Sequence, residues 1–231
     1  MRIADFRERH RGARAWVIGS GPSLAEMDLS PLRSALTLTC NNGHLLFERL
    51  GGPSTYWCTE DPLDWQQFRK AWSAIGSVRV IADDLEEDEA FGACVRVPFA
   101  RAYYGADGPQ FWRDGCFFWG ATVSYLMIQW AVYVGAAEIV LLGHDFRYAL
   151  DGSEDGNTWS INADLSHFDR EYWPPGARAF KPDYVAMRRA FVAAQAACAQ
   201  AGITIVNATP GTALDVFQLA DYGALVAEGR S

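Results

Sequence analysis

The chain has no surplus of positive charge: 20 lysines and arginines stand against 28 aspartates and glutamates, a formal charge of −8. A protein that neutralises many phosphates needs a basic face, so nucleic-acid binding is not expected, although a local basic pocket is compatible with this balance. No CxxC pair occurs among Cys40, Cys58, Cys94, Cys116 and Cys198, and the odd number argues against a disulfide framework and for a reducing compartment. The opening residues, MRIADFRERHRG, lack the apolar core of an export signal, so the expected location is the cytoplasm. An apolar run of the roughly 20 residues that a membrane-spanning helix takes is missing too. The longest, residues 123–134, carries Gln129 and stops at Gly135. Repeats, low-complexity tracts and a linker are also absent, so a single domain over residues 1–231 is expected. What the chain does have is an apolar half, with nine tryptophans, nine tyrosines and thirteen phenylalanines. That is ample for a core and leaves aromatics to line a pocket.

Short apolar runs at 15–18, 36–40, 56–59 and 78–82 predict strands, and each is followed by glycine, asparagine, aspartate or proline. After the first run come Gly19-Ser20-Gly21-Pro22-Ser23 and then Leu24, Met27, Leu29 and Leu32, a spacing that predicts a helix with Ser23 as a candidate N-cap. Helical spacing also covers 65–75. The acidic run from Asp83 to Glu89 predicts a solvated helix start rather than a metal site. Residues 99–114 read as an irregular connection at a pocket rim. A buried helix over 121–134 leads to a central strand at 138–143, and His144 and Asp145 follow at once. From 147 to 178 periodicity breaks down, which predicts a lid or substrate loop of about 147–180. A helix over 182–200, a strand over 203–206 and a short helix over 214–219 complete the chain. The alternation predicts an α/β, Rossmann-like fold, a largely parallel sheet with helices on both faces and ligands outside the carboxyl ends of the strands.

Polar residues gather at those ends. The loop Gly19 to Ser23 follows a strand and is expected to aim backbone N–H groups at an anion, yet Leu24 stands where a dinucleotide motif needs its third glycine, and no Walker lysine is present. Asn41 and Asn42 suit either a ribose contact or turn formation. Asp61 and Asp145 are carboxylates placed to meet a metal, a sugar hydroxyl or a backbone amide. Of four histidines, His167 lies in the long irregular segment, where it can serve as general base or acid; His144, at a strand end, is its competitor. Arg178, Lys181, Arg188 and Arg189 follow and are candidates to neutralise a pyrophosphate.

Taken in order, Val17-Ile18-Gly19-Ser20-Gly21-Pro22-Ser23-Leu24, Cys40-Asn41, Glu60-Asp61-Pro62, Gly120-Ala121-Thr122-Val123-Ser124, Gly143-His144-Asp145-Phe146, Ser166-His167-Phe168 and Asn207-Ala208-Thr209-Pro210-Gly211-Thr212 form a recognisable set. It resembles the MptE-like family, named for the archaeal 6-hydroxymethylpterin diphosphokinase, whose domain also occurs in flagellin-modifying motility accessory factors. More distantly it is similar to the bacterial sialyltransferases of glycosyltransferase family 42. The resemblance runs from about residue 15 to 222.

Two enzymatic expectations follow from the resemblance. In the first, Gly19, Ser20, Gly21, Pro22, Ser23, Asn41 and Asp61 hold the nucleotide of a CMP-type sugar donor, and Thr122 and Ser124 approach its phosphate or sugar. His167 is then the base for a hydroxyl of a glycan or small-molecule acceptor, with Asp145 beside it and His144, Tyr172 and Arg178 as substrate or phosphate contacts. In the second, ATP takes the cleft, Asp61 and Asp145 hold magnesium, and a pterin alcohol attacks the β-phosphorus; only this reading calls for a metal cofactor. Departures are visible: Ser20 stands where the sialyltransferases carry asparagine, and His144 replaces a more usual aliphatic residue. The histidine in a lid-like segment, and the want of a dense lysine and carboxylate apparatus, favour glycosyl transfer. A non-catalytic nucleotide- or sugar-binding module is the third reading, and a homo-oligomer is left open.

Overall fold

The computed structural model describes residues 1–101, 110–113 and 115–229. Of the connection expected over 99–114, residues 102–109 and 114 lie outside the described part. In chain order the strands are β1 (Arg14–Ile18), β2 (Leu36–Cys40), β3 (Tyr56–Thr59), β4 (Val78–Ala82), β5 (Val95–Val97), β6 (Phe99–Ala100), β7 (Phe117–Phe118), β8 (Glu138–Leu142), β9 (Leu150–Asp155), β10 (Thr158–Asp164), β11 (Arg178–Phe180), β12 (Thr204–Asn207) and β13 (Gln218–Leu219). The α-helices are α1 (Phe47–Leu50), α2 (Pro62–Trp72), α3 (Val123–Tyr133), α4 (Tyr184–Gln200) and α5 (Tyr222–Glu228).

Eight strands form one parallel sheet in the order β13-β12-β8-β1-β2-β3-β4-β5. Its strands are continuous apolar runs because both faces are covered. In β1, Ala15 and Val17 face a core with α3 and α4, whereas Trp16 and Ile18 face Leu24, Leu29, Leu32, Leu46 and Leu50 on the other side. Further along, Trp57 and Ile81 meet Trp65 and Trp72 of α2. Helix α3 is apolar almost all round because it lies between the sheet and α4, and its one amide, Gln129, stitches it to β7 by bonds to the N–H (3.0 Å) and C=O (2.9 Å) of Phe118. No helix among the described residues is long and apolar enough to cross a membrane.

Strand order reverses at β1, which has β2 on one side and β8 on the other. The loops leaving β1 and β8 therefore diverge, and a crevice opens at their carboxyl ends.

Four expectations need correction. The turn after β1 is a short 3-10 helix, Pro22–Glu26, and Ser23 lies inside it instead of capping it. Pro22 and a leucine stripe are consistent with helix, but Ser23 is drawn to Asp145 and the chain straightens at Met27. The segment 147–178 is not loop-like: β9, β10 and β11 make an antiparallel meander. Its outer strand, β9, carries Asp151, Ser153, Glu154 and Asp155, so its backbone ladder has no hydrophobic signature. Gln67 of α2 pins the meander by accepting from Arg178 N–H (2.7 Å) and donating to Arg178 C=O (2.8 Å), as a neighbouring strand would. Residues 214–219 are not helical; Leu214, Val216 and Phe217 pack into the core through irregular chain and a bend, and the helix comes later as α5, capped by Asp221. Finally, the acidic run forms no α-helix, only the 3-10 turn Glu89–Phe91 capped by Asp88, while Asp83 and Asp84 bind Phe99 N–H and Arg101.

Candidate active site

The crevice is a cleft open to solvent. It gathers Gly19, Ser20, Gly21, Asn41, Asp61, Thr122, Ser124, His144, Asp145, His167 and Tyr172 from the expected set. Pro22, Ser23 and Arg178 stay outside its lining. Arg178 sits on β11 with its guanidinium on Thr158 (2.9 Å) and near Asp155 (3.5 Å). Non-glycine residues with left-handed backbone concentrate here: Asn41 (φ 45°), Ala121 (φ 59°) and Phe146 (φ 57°) all line the cleft. Such conformations cost about 1–3 kcal/mol each and persist where surroundings enforce them, typically at functional sites.

Bond accounting changes the role of the glycine loop. Gly19 N–H donates to Leu142 C=O (2.7 Å), Gly21 N–H to Gly143 C=O (2.9 Å) and Ser23 N–H to Asp145 (3.1 Å). Only the Ser20 amide is not spent in this way, so the loop is a poor phosphate cradle. Its glycines are required by close approach to the end of β8: a Cβ at Gly19 would lie 2.5 Å from Gly143 C=O, and one at Gly21 1.8 Å from the Asp145 carboxylate.

Asp145 accepts from Ser23 N–H on one oxygen and from the Ser23 hydroxyl (2.8 Å) on the other. Asp61 caps α2, one oxygen taking Leu63 N–H (2.7 Å) and Asp64 N–H (3.0 Å). These two carboxylates are turned to protein donors, and no group of three or more metal-ligating side chains comes together among the described residues. Magnesium is held by as few as one or two carboxylates together with substrate phosphates; of the two here, both Asp145 oxygens are taken by Ser23, whereas the Leu63 and Asp64 amides engage only one oxygen of Asp61. Beside Asp61, buried Asp64 takes the Asn41 amide (2.9 Å), while the Asn41 carbonyl oxygen takes the Thr59 hydroxyl (2.8 Å). Burial pushes the Asp61 carboxyl up, and burial plus the charge of Asp61 pushes Asp64 well above the usual range.

On the opposite wall, His144 Nδ1 lies 3.1 Å from Leu142 C=O, which only accepts, so Nδ1 carries the proton. Nε2 is then an acceptor, and the Ser124 hydroxyl at 3.0 Å donates its single proton to it. Towards the cleft Ser124 offers lone pairs alone, which suits a ligand O–H or N–H and not a phosphate oxygen. Burial lowers His144 to about 4, so the ring is neutral at neutral pH and a weak base.

This histidine ties stability to pH. Its folded pKa lies below the ordinary 6.5, so the unfolded chain binds more protons between about pH 4 and 6.5, and its contribution is lost as pH falls through that window. Buried Glu60, raised to about 7 by burial and by Asp61, acts with the opposite sign. The His144 part is isolated by comparing urea midpoints of wild type and His144→Asn: the wild-type advantage shrinks from pH 7 to pH 4, by about 3 kcal/mol at most.

His167 is held from three sides. Nδ1 donates to Asp164 (2.7 Å), Tyr172 stacks on the ring at 3.9 Å and 9°, and Trp173 meets it edge-on at 4.5 Å. Asp164, its side chain wholly buried, also accepts Ser166 N–H (2.9 Å) and Trp173 N–H (3.1 Å). The Nε2 atom has no partner among the described residues. Two ties join this group to the rest of the cleft: Ser20 bonds the Tyr172 hydroxyl (2.9 Å) and accepts Phe168 N–H (3.0 Å), and Asn42 donates to Tyr172 C=O (2.5 Å). Sequence reasoning missed Asp164, Asp64 and Arg147, another lining residue. The i, i+3 spacing of Asp164 and His167 was the available signal.

No family model and no curated protein matches the chain, so the MptE-like resemblance rests on the quoted residues alone. Among solved structures it is similar to the MAf glycosyltransferase from Magnetospirillum magneticum AMB-1, with a TM-score of 0.59 and 11% identity over 95% of this chain and 37% of that one. It is also similar to the sialyltransferase CstII from Campylobacter jejuni, determined with the substrate analogue CMP-3FNeuAc, with a TM-score of 0.47 and 16% identity over 90% of this chain and 85% of that one. The chain thus spans little more than a third of the first neighbour's length. At these identities the likeness shows the fold, an α/β architecture on a mostly parallel sheet.

Proposed function

We propose that the protein is a glycosyltransferase that moves a sugar from a CMP-type nucleotide-sugar to a hydroxyl of a glycan or small-molecule acceptor, in the cytoplasm. The observation that carries this reading is the Asp164–His167 pair, set in a cleft at the strand-order reversal of a parallel sheet. Because Nδ1 keeps its proton and donates it in a hydrogen bond to the carboxylate, Nε2 is left as an acceptor facing substrate. It removes the acceptor's O–H proton as that oxygen attacks the anomeric carbon. The bond from that carbon to the phosphate oxygen breaks, and the nucleotide leaves with the electron pair. The fold shared with the MAf glycosyltransferase supports the reading.

Thermal-shift measurements with CMP, CDP, UDP, GDP and ATP, each with and without magnesium, test the donor class. A ligand at 100 times its Kd stabilises the folded state by about 2.7 kcal/mol. Metal-independent stabilisation by CMP is expected; magnesium-dependent stabilisation by ATP alone, or none by any nucleotide, would overturn the proposal.

Asp164 is a positioning residue, and Asp164→Asn separates that role from simple packing. An asparagine amide can donate to Nδ1 and shift the proton to Nε2, which then no longer accepts. Turnover is expected to fall roughly 100-fold with donor affinity nearly unchanged, while the amide NH2, facing the Ser166 or Trp173 N–H, costs about 1–3 kcal/mol of stability. Turnover unchanged, or a loss of donor affinity as large as the loss of turnover, would mark the residue as structural only.

A further inference from the structure

A donor phosphate in this cleft needs hydrogen-bond donors, and most candidates are already spent. The amides of Gly19, Gly21 and Ser23 are bonded internally, Ser124 gives its proton to His144, and Lys181 is held by Glu154 at 2.5 Å. Arg147 is different. It lines the cleft, its side chain is exposed, and among the described residues no carboxylate pairs with it.

Its position is built with care at the backbone. After β8 the chain turns through Gly143 (φ 70°) and Phe146 (φ 57°), two left-handed residues that carry it out of the sheet and across the cleft. The turn is anchored on both sides of Arg147. Asp145 C=O accepts Ala213 N–H (2.9 Å), the Phe146 ring packs on Tyr184 (5.3 Å), and Tyr148 N–H donates to the Tyr184 hydroxyl (3.0 Å). A stem anchored on both sides thus places at the cleft an arginine whose guanidinium has no carboxylate partner among the described residues. Strain at an aromatic residue is kept, and the result is a planar fork of donors whose geometry matches phosphate oxygens.

Building on the glycosyl-transfer reading, we propose that Arg147 is the clamp for the donor's phosphate, holding it in the ground state and taking up the charge that grows on it as the sugar departs. The glycine loop then shapes the cleft and leaves the anion to this side chain.

Calorimetric titration of wild type, Arg147→Ala and Arg147→Lys with inorganic pyrophosphate, CMP and cytidine tests the assignment. One charge-assisted contact of this kind is worth at least a factor of about ten in affinity. Arg147→Ala is expected to weaken pyrophosphate and CMP by that factor or more, leave cytidine and the melting temperature unchanged, and Arg147→Lys to recover only part of the loss. Equal binding of pyrophosphate by wild type and Arg147→Ala, or no binding by wild type, overturns the clamp. Failure of wild type to prefer CMP over pyrophosphate instead overturns the nucleotide-donor reading, while a tenfold loss of pyrophosphate in the alanine variant still supports the clamp.

Discussion

Replacing His167 by alanine is expected to lower turnover by roughly 10³-fold, within the range that a positioned general base contributes, while donor affinity stays within about twofold. The separation follows from geometry. His167 bonds only Asp164 and stacks on Tyr172, and it contributes nothing to the walls formed by Asn41, Asp61 and Ser124. Single-turnover rates and donor titrations on the same preparation read the two quantities independently. Equal loss of both would show that the ring holds the donor or the meander instead of moving a proton. His144→Asn is the control: a buried ring near pKa 4 whose Nε2 is already occupied by Ser124 is not suited to the same task, so its loss should cost far less turnover.

The largest expected effect on stability is that of Trp57→Ala. This side chain is fully buried, lies 5.0 Å from Trp72 ring to ring, and donates its indole N–H to Asn41 C=O at 2.7 Å. Truncation of a buried tryptophan costs about 3–5 kcal/mol, which for a chain of this size lowers Tm by roughly 6–20 °C. It also releases the carbonyl that fixes Asn41 in its left-handed conformation, so Asp64 loses its clamp and the cleft loosens. Trp57→Phe keeps most of the packing and should cost less than half as much. Denaturant midpoints check both. A loss below about 1 kcal/mol for the alanine variant would show that α2 is not fastened to the sheet through this residue.

The strands of the main sheet were legible because burial on both faces leaves unbroken apolar runs, as in 36–40, 56–59 and 78–82, whose bounds match β2, β3 and β4. The reversal at β1 was not. It depends on which strand pairs with which, and no local pattern states that β8 returns to lie beside the first strand. Once it does, Gly19 and His144 become neighbours, and the cleft follows. The meander was invisible for another reason. Its ladder is made of backbone bonds between polar residues, with Gln67 completing it from a helix far away in sequence. His167 was found from its residue type and setting, whereas its partner Asp164 passed unnoticed because it is one of several carboxylates in a polar segment, and its i, i+3 spacing from His167 carries weight only once the chain is seen to bend there. The glycine loop teaches a third point. Its composition suggested anion binding, but the same composition is required for two chain segments to approach closely, and only the destination of each N–H separates the two causes.

The bonds from Ser20 and Asn42 to Phe168 and Tyr172 have a kinetic meaning. Latched there and at Gln67, the meander is fastened at several points, so His167 is expected to be freed only if the whole segment opens together, which hydrogen exchange over 150–180 checks. On the glycosyl-transfer reading, water that reaches a bound donor while the segment is open meets no base, so donor hydrolysis is expected to be slow compared with transfer.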